Sequence, residues 1–103
     1  MSDWVRVGQL NDMPPGSSRE LLAGDRVVAL FNCEGTLYAL DGICPHQGGP
    51  LGEGELCGTT VTCPWHGWQF DVRTGEHRTS ASVRQPTLAV KIEGDEIWVD
   101  VGQ

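Results

Sequence analysis

The chain is poor in cations, histidine and long apolar runs. Lys91 is its one lysine, and seven Lys and Arg stand against fourteen Asp and Glu, for a formal net charge of −7. So acidic a chain lacks the cations that phosphates recruit, which excludes nucleic-acid binding. No stretch approaches the roughly 18 apolar residues of a membrane-spanning helix, so no membrane role is expected. The opening residues, Met1-Ser2-Asp3-Trp4-Val5-Arg6, carry no apolar segment of an export signal, and a cytoplasmic monomer with reduced thiols is expected. No window keeps a 3.6-residue apolar period for three turns, so any helix should be short.

What is present is mostly strand signal. Residues 4–7, 26–32 and 36–40 are rich in β-branched and aromatic side chains, and Asn32-Cys33-Glu34-Gly35 reads as a hairpin turn. Leu88, Val90 and Ile92 alternate with polar or small neighbours, as do Ile97, Val99 and Val101 beyond the Glu93-Gly94-Asp95 turn. That predicts a hairpin with one buried face. Residues 68–72 read as a strand running into Arg73-Thr74-Gly75. Short strands joined by Gly-containing turns predict an all-β fold, an antiparallel sandwich or barrel, and 103 residues suit a single domain over 1–103. The segment 41–58 differs, being crowded with Gly, Pro and polar residues, the composition of ordered loops.

Two short clusters flank that loop segment. Cys44-Pro45-His46 and Cys63-Pro64-Trp65-His66 each pair a thiolate donor with an imidazole donor, with sixteen residues between His46 and Cys63. Two Cys and two His in this mixed order are the ligand set of a Rieske 2Fe-2S centre, in which two His replace two Cys on one iron. A Pro after each Cys fixes φ and removes an amide donor. Gly48, Gly49 and Gly67 would let backbone approach closely, so that main-chain N–H groups can bond the sulfurs. Zinc is the competing occupant. Structural zinc sites favour Cys-x2–4-Cys and His-x3–5-His pairs, whereas each pair here mixes Cys with His at shorter gaps.

The run from Cys44-Pro45-His46-Gln47-Gly48-Gly49-Pro50-Leu51 to Cys63-Pro64-Trp65-His66-Gly67-Trp68-Gln69-Phe70-Asp71 resembles the Rieske-type ferredoxins of bacterial oxygenase systems, including aromatic-ring dioxygenases. It is also similar to the small subunit of assimilatory nitrite reductases. The resemblance implies a β-sandwich base carrying a cluster-binding subdomain, with the loops within about 41–72. It implies that Cys44 and Cys63 bind the buried iron and His46 and His66 the iron nearer solvent. The respiratory-complex branch has Cys at the positions of Gly49 and Trp65, Ser at that of Trp68 and Tyr at that of Phe70. Here the inter-loop disulfide and both hydroxyl donors are missing, which implies a low reduction potential.

The function expected is a one-electron carrier that passes electrons from a reductase to a terminal oxygenase. The alternative is an accessory subunit of a nitrite reductase, and a redox sensor is a third reading. The chain is not expected to be an enzyme alone, and an oxygenase in its own right is excluded by ligand arithmetic. A mononuclear iron needs two His and a carboxylate, and after His46 and His66 only His77 remains. Gly52-Glu53-Gly54 does not complete a dinucleotide loop, since Cys57 stands at its sixth position and no strand–helix context follows. Electrons must therefore come from another protein. Cys33 and Cys57 read as small buried hydrophobes, His77 as a surface imidazole, and Trp4 and Trp98 as core or sheet-face aromatics. Trp65 and Trp68 flank His66 and are expected to shield the cluster. Residues 27–72 hold Glu34, Asp41, Glu53, Glu55 and Asp71 with no Lys or Arg, so a negative docking face is expected.

Overall fold

The computed structural model describes residues 3–43, 49–65, 67–80 and 83–102. Its strands are β1 (Trp4–Gln9), β2 (Ser18–Ala23), β3 (Arg26–Cys33), β4 (Thr36–Asp41), β5 (Glu55–Cys57), β6 (Thr60–Thr62), β7 (Gln69–Asp71), β8 (Thr87–Leu88), β9 (Val90–Glu93) and β10 (Glu96–Asp100). Helix among the described residues is confined to two single 3-10 turns, Leu10–Asp12 and Leu51–Glu53. The strands form three antiparallel sheets, ordered β1-β10-β9, β2-β3-β4-β8 and β5-β6-β7.

The period-2 pattern of β3 and β4 explains the layering. Val28, Leu30, Leu37 and Ala39 face one way, into a core shared with Ile97, Val99 and Val5 of the first sheet. Ala29, Phe31, Cys33, Tyr38 and Leu40 face the other way, into a second core with Val61, Phe70 and Leu56 of the third sheet. The middle sheet is therefore covered on both faces, which is why β3 reads as the unbroken apolar run Val27-Val28-Ala29-Leu30-Phe31. Each fully buried side chain of this size contributes about 1.5–3 kcal/mol. The first two sheets form the sandwich. The third sheet, with the loops on either side of it, forms the loop-rich subdomain.

Turn chemistry sets the registers. Cys33 pairs with Thr36, which leaves Glu34-Gly35 as a two-residue turn with φ of 54° and 98°. Positive φ at both positions matches the right-handed twist of the flanking strands. The Asn32 side chain accepts a hydrogen bond from the Gly35 N–H at 2.7 Å and secures the turn.

Three strands carry no signal in the sequence. β2 reads Ser18-Arg19-Glu20-Leu21-Leu22-Ala23, and its Leu22 stays exposed, so no alternation betrays it. β5 and β6 have three residues each, too few to show a period. The strand expected at 68–72 is limited to Gln69–Asp71. Ile92, expected on the buried face of the last hairpin, is exposed. It lies beside the Gly94-Asp95 turn, at the tip of the hairpin formed by β9 and β10.

Candidate metal centre

Two loops carry the candidate ligand clusters, and the described residues show how each is closed at its base. The Leu51 N–H donates to the Gly42 carbonyl at 3.0 Å, and Ile43 forms an isolated bridge with Pro50. These contacts pinch off a loop that contains Cys44 and His46. The Cys63 N–H donates to the Trp68 carbonyl at 2.7 Å, pinching off a second loop that contains His66. Cys44, His46, Gly48 and His66 lie outside the described residues, so the site is described through Cys63 and the loop bases. Among the described residues no group of three or more metal-ligating side chains occurs.

Cys63 is buried at 1 % exposure within the second core. The two loops meet at this residue. A Cβ built on Gly49 would sit 2.9 Å from Cys63 Sγ and 3.0 Å from both Cβ and Cγ of Trp65. Gly49 is therefore glycine because the first loop lies flush against the second, with the thiol between them. Trp65 at 50 % and Ile43 at 51 % exposure are exposed apolar side chains, one in each loop region. Gly67 serves a different purpose. Its φ is 72° with no described atom within 4 Å of a Cβ, so conformation, not close approach, requires glycine there.

The first loop is also anchored from below. A Cβ on Gly52 would lie 2.6 Å from both Cα and N of Glu20, so the Leu51–Glu53 turn rests directly on the β2 backbone. Ser18 Oγ donates to the Gly54 carbonyl at 2.7 Å. A thiol with almost no water access, held where two closed loops touch, fits a group clasped between those loops. A soft sulfur donor suits iron–sulfur chemistry.

The residues around this centre depart from expectation in three ways. His77 is not a free surface imidazole. Its ring meets Trp68 edge-on at 4.7 Å and Phe70 at 5.2 Å between centroids, and Nε2 is buried without a hydrogen-bond partner among the described residues. Nδ1 accepts from the Thr79 N–H at 3.1 Å, which places the proton of the neutral ring on Nε2. The Asp71 N–H donates to the Glu76 carbonyl and the Arg78 N–H to that of Gln69. Residues 76–78 thus run beside β7 and bring the ring over its aromatic neighbours.

Cys57, in turn, is exposed where a buried hydrophobe was expected, whereas Cys33 is buried as expected. On a three-residue strand Leu56 turns inward, so its neighbours Glu55 and Cys57 turn out. Burial, with the Asp71 carboxylate as a lesser cause, raises the pKa of the Cys33 thiol.

The third departure concerns charge. Asp71 accepts from Arg73 Nε at 3.1 Å and Nη2 at 2.9 Å, with Arg78 Nη1 at 4.0 Å. Asp41 lies 4.0 Å from Arg26. Two of the five acids of 27–72 are thus neutralised by cations from outside that segment. Glu53 and Glu55 line an open groove with Cys57, Cys63, Pro64 and Gly67 and carry the negative charge beside the thiol. The hydrogen bonds from Arg73 hold the Asp71 carboxyl below its usual pKa, against the opposing effect of burial.

Trp4 and Trp98 are sheet-face aromatics, half-buried, with Lys91 Nζ 4.5 Å and 5.9 Å from their ring centroids. The sandwich, the two closed loops and the buried thiol between them make a specific arrangement, and the family model of the Rieske [2Fe-2S] domain matches residues 3–93. The chain belongs to that family. Its cofactor is accordingly a 2Fe-2S cluster. The chain is 34% identical to the ferredoxin component of a naphthalene 1,2-dioxygenase system from Pseudomonas aeruginosa, over 95% of each protein. The ferredoxin in a complex of reduced oxygenase and oxidised ferredoxin of carbazole 1,9a-dioxygenase is 31% identical. It superposes with a TM-score of 0.85 over 94% of this chain and 92% of that one. A nitrite reductase small subunit from Mycobacterium tuberculosis has a TM-score of 0.90 over 100% of this chain and 98% of that one. At 21% identity that likeness shows the fold alone.

Proposed function

We propose that this Rieske domain is a diffusible one-electron carrier that takes electrons from a reductase and delivers them to a terminal oxygenase, and that it does not catalyse a reaction alone. The observation that carries this reading is the full-length likeness to ferredoxin components of dioxygenase systems. The nitrite reductase alternative has only the shared fold in its favour. The whole chain acts as one domain over 1–103, because the middle sheet lends one face to each core. A cytoplasmic monomer suits the acidic composition. Among the described residues no helix is long and apolar enough to cross a membrane.

Cys44 and Cys63 bind one iron, and His46 and His66 the other. The buried position of Cys63 against Gly49 supports this pairing of the loops. The cluster supplies reversible one-electron storage. The chain does the rest. Its closed loops hold the donors without rearrangement, and the second core keeps water from Cys63. The exposed side chains of Ile43 and Trp65 give a partner apolar contacts that desolvate easily, while Glu53 and Glu55 favour a basic partner face. The test is the metal content of anaerobically purified protein. Two irons and two acid-labile sulfides per chain are expected, with an average g of the reduced protein below that of an all-Cys ferredoxin. Stoichiometric zinc in colourless protein refutes the assignment.

A further inference from the structure

Gln85 has no place in the ligand motif, yet it is among the most deeply buried polar side chains, at 2 % exposure. Its Nε2 donates to the Asp41 carbonyl at 2.5 Å and to the Ile43 carbonyl at 2.7 Å, across 44 and 42 residues of sequence. A carboxamide has two N–H donors, so one serves each carbonyl. The Ile43 carbonyl belongs to the peptide that leads into Cys44. Because a peptide group is planar, holding its oxygen holds the plane from which the first loop departs.

The backbone of Gln85 reaches the turn beyond the other loop. Its N–H donates to the Gly75 carbonyl at 2.7 Å, and a Cβ on Gly75 would collide with the Gln85 carbonyl oxygen. Gly75 closes the turn that follows β7, through its N–H to the Asp71 carbonyl at 2.7 Å. β7 is itself the strand that leaves the second loop. One residue thus spans the start of the first ligand loop and the turn beyond the second.

We propose that Gln85 is a positioning residue of the cluster, fixing through the Ile43 carbonyl the angle at which the first ligand loop meets the second. This rests on the reading that Cys44, His46, Cys63 and His66 are the ligands. Gln85 need not touch the cluster. A purely structural role would make it one more satisfied buried amide, comparable to Asn32. That side chain is 3 % exposed and donates to the Met13 carbonyl at 2.5 Å, with no link to either loop among the described residues.

The experiment compares two variants of the holoprotein. Gln85→Met keeps the chain length and removes both donors, and Asn32→Leu removes a buried amide elsewhere. Both should lower the melting temperature. Only Gln85→Met should speed loss of iron to a chelator, by about tenfold, the factor that about 1.4 kcal/mol represents. It alone should also broaden or shift the g values of the reduced protein. Iron retention and g values equal to wild type in Gln85→Met overturn the proposal, as does an equal effect of Asn32→Leu. If Gln85→Met does not fold, exchange of the Gln85 side-chain NH2 protons in wild type decides. Coupling is reciprocal, so removing the cluster should release that amide and leave that of Asn32 protected. Unchanged protection of Gln85 overturns the proposal. Failure of the ligand reading would show earlier and separately, as wild-type protein without a 2Fe-2S spectrum.

Discussion

Gly49→Ala tests whether the two loops meet where the structure puts them. The added methyl would stand 2.9 Å from Cys63 Sγ and 3.0 Å from two atoms of Trp65, against the roughly 3.5–4.0 Å of a favourable contact. Overlap of about half an ångström or more must be relieved. The two neighbours are unequal in their ability to yield. Trp65 is half-exposed and can turn toward solvent, whereas Cys63 is 1 % exposed and tied by its N–H to the Trp68 carbonyl. Overpacking at a fixed neighbour costs about 1–3 kcal/mol. Urea unfolding of the holoprotein should show a loss in that range, with faster release of iron. Trp65→Ala in the Gly49→Ala background should restore part of it, because it removes the contact to Trp65 Cγ while those to Cys63 Sγ and to Cβ remain, and a double-mutant cycle should give a clear interaction energy. Gly67→Ala is the comparison. It has no crowding and a φ of 72°, so it should cost about 1–2 kcal/mol through the left-handed backbone and show no coupling to Trp65. Gly49→Ala with wild-type stability and iron retention would refute the contact.

The midpoint potential should lie near the lower end of the Rieske span, about −150 mV, because neither Trp68 nor Phe70 offers a hydroxyl. Voltammetry at neutral pH should show this, and a correctly folded Phe70→Tyr variant whose hydroxyl reaches a cluster sulfur should shift it upward. Reduction by the cognate reductase should slow with added salt, as charges are screened beyond about 8–10 Å. Glu53→Lys with Glu55→Lys should weaken that slope, and stopped-flow rates indifferent to salt would contradict steering. Asp71 has a depressed pKa, so its pairing with Arg73 stabilises the fold above the unfolded carboxyl pKa of about 3.9 and is lost as pH falls through the folded value. The difference in melting temperature between wild type and Arg73→Ala should hold from pH 8 to 5 and shrink below about 4.

The ligand motif and the larger strands were legible because both are local patterns. Cys63-Pro64-Trp65-His66 carries its chemistry in consecutive residues. The Glu34-Gly35 turn carries its register in a requirement for positive φ at both positions. β2 was hidden because its partners supply the burial. Its Arg19 and Glu20 lie at the surface, and the Leu51–Glu53 turn resting on it at Gly52, with the Ser18 to Gly54 hydrogen bond, makes that strand part of the site. Gln85 was hidden for the same reason on a longer scale. A glutamine before a proline has no local signature, and its value lies in two carbonyls more than 40 residues away.

Charge and exposure failed for a related reason. The absence of Lys and Arg from 27–72 depends on where that segment is cut, since Arg26 and Arg73 flank it directly, and the fold sets Arg26 beside Asp41 and Arg73 and Arg78 beside Asp71. Glu34, Glu53 and Glu55 stand outside those pairs, and of these Glu53 and Glu55 line the groove at Cys63. His77 shows the converse. Its polar neighbours Glu76, Arg78 and Thr79 pointed to solvent, but the strand it pairs with presents Trp68 and Phe70, and an imidazole opposite two aromatic rings becomes partly buried. The rings around His77 and the cations beside Asp71 lie within nine residues of them in the chain, and the turn after β7 decides which of them meet. Composition along a segment does not carry that pairing, so the docking face must be read from the folded surface.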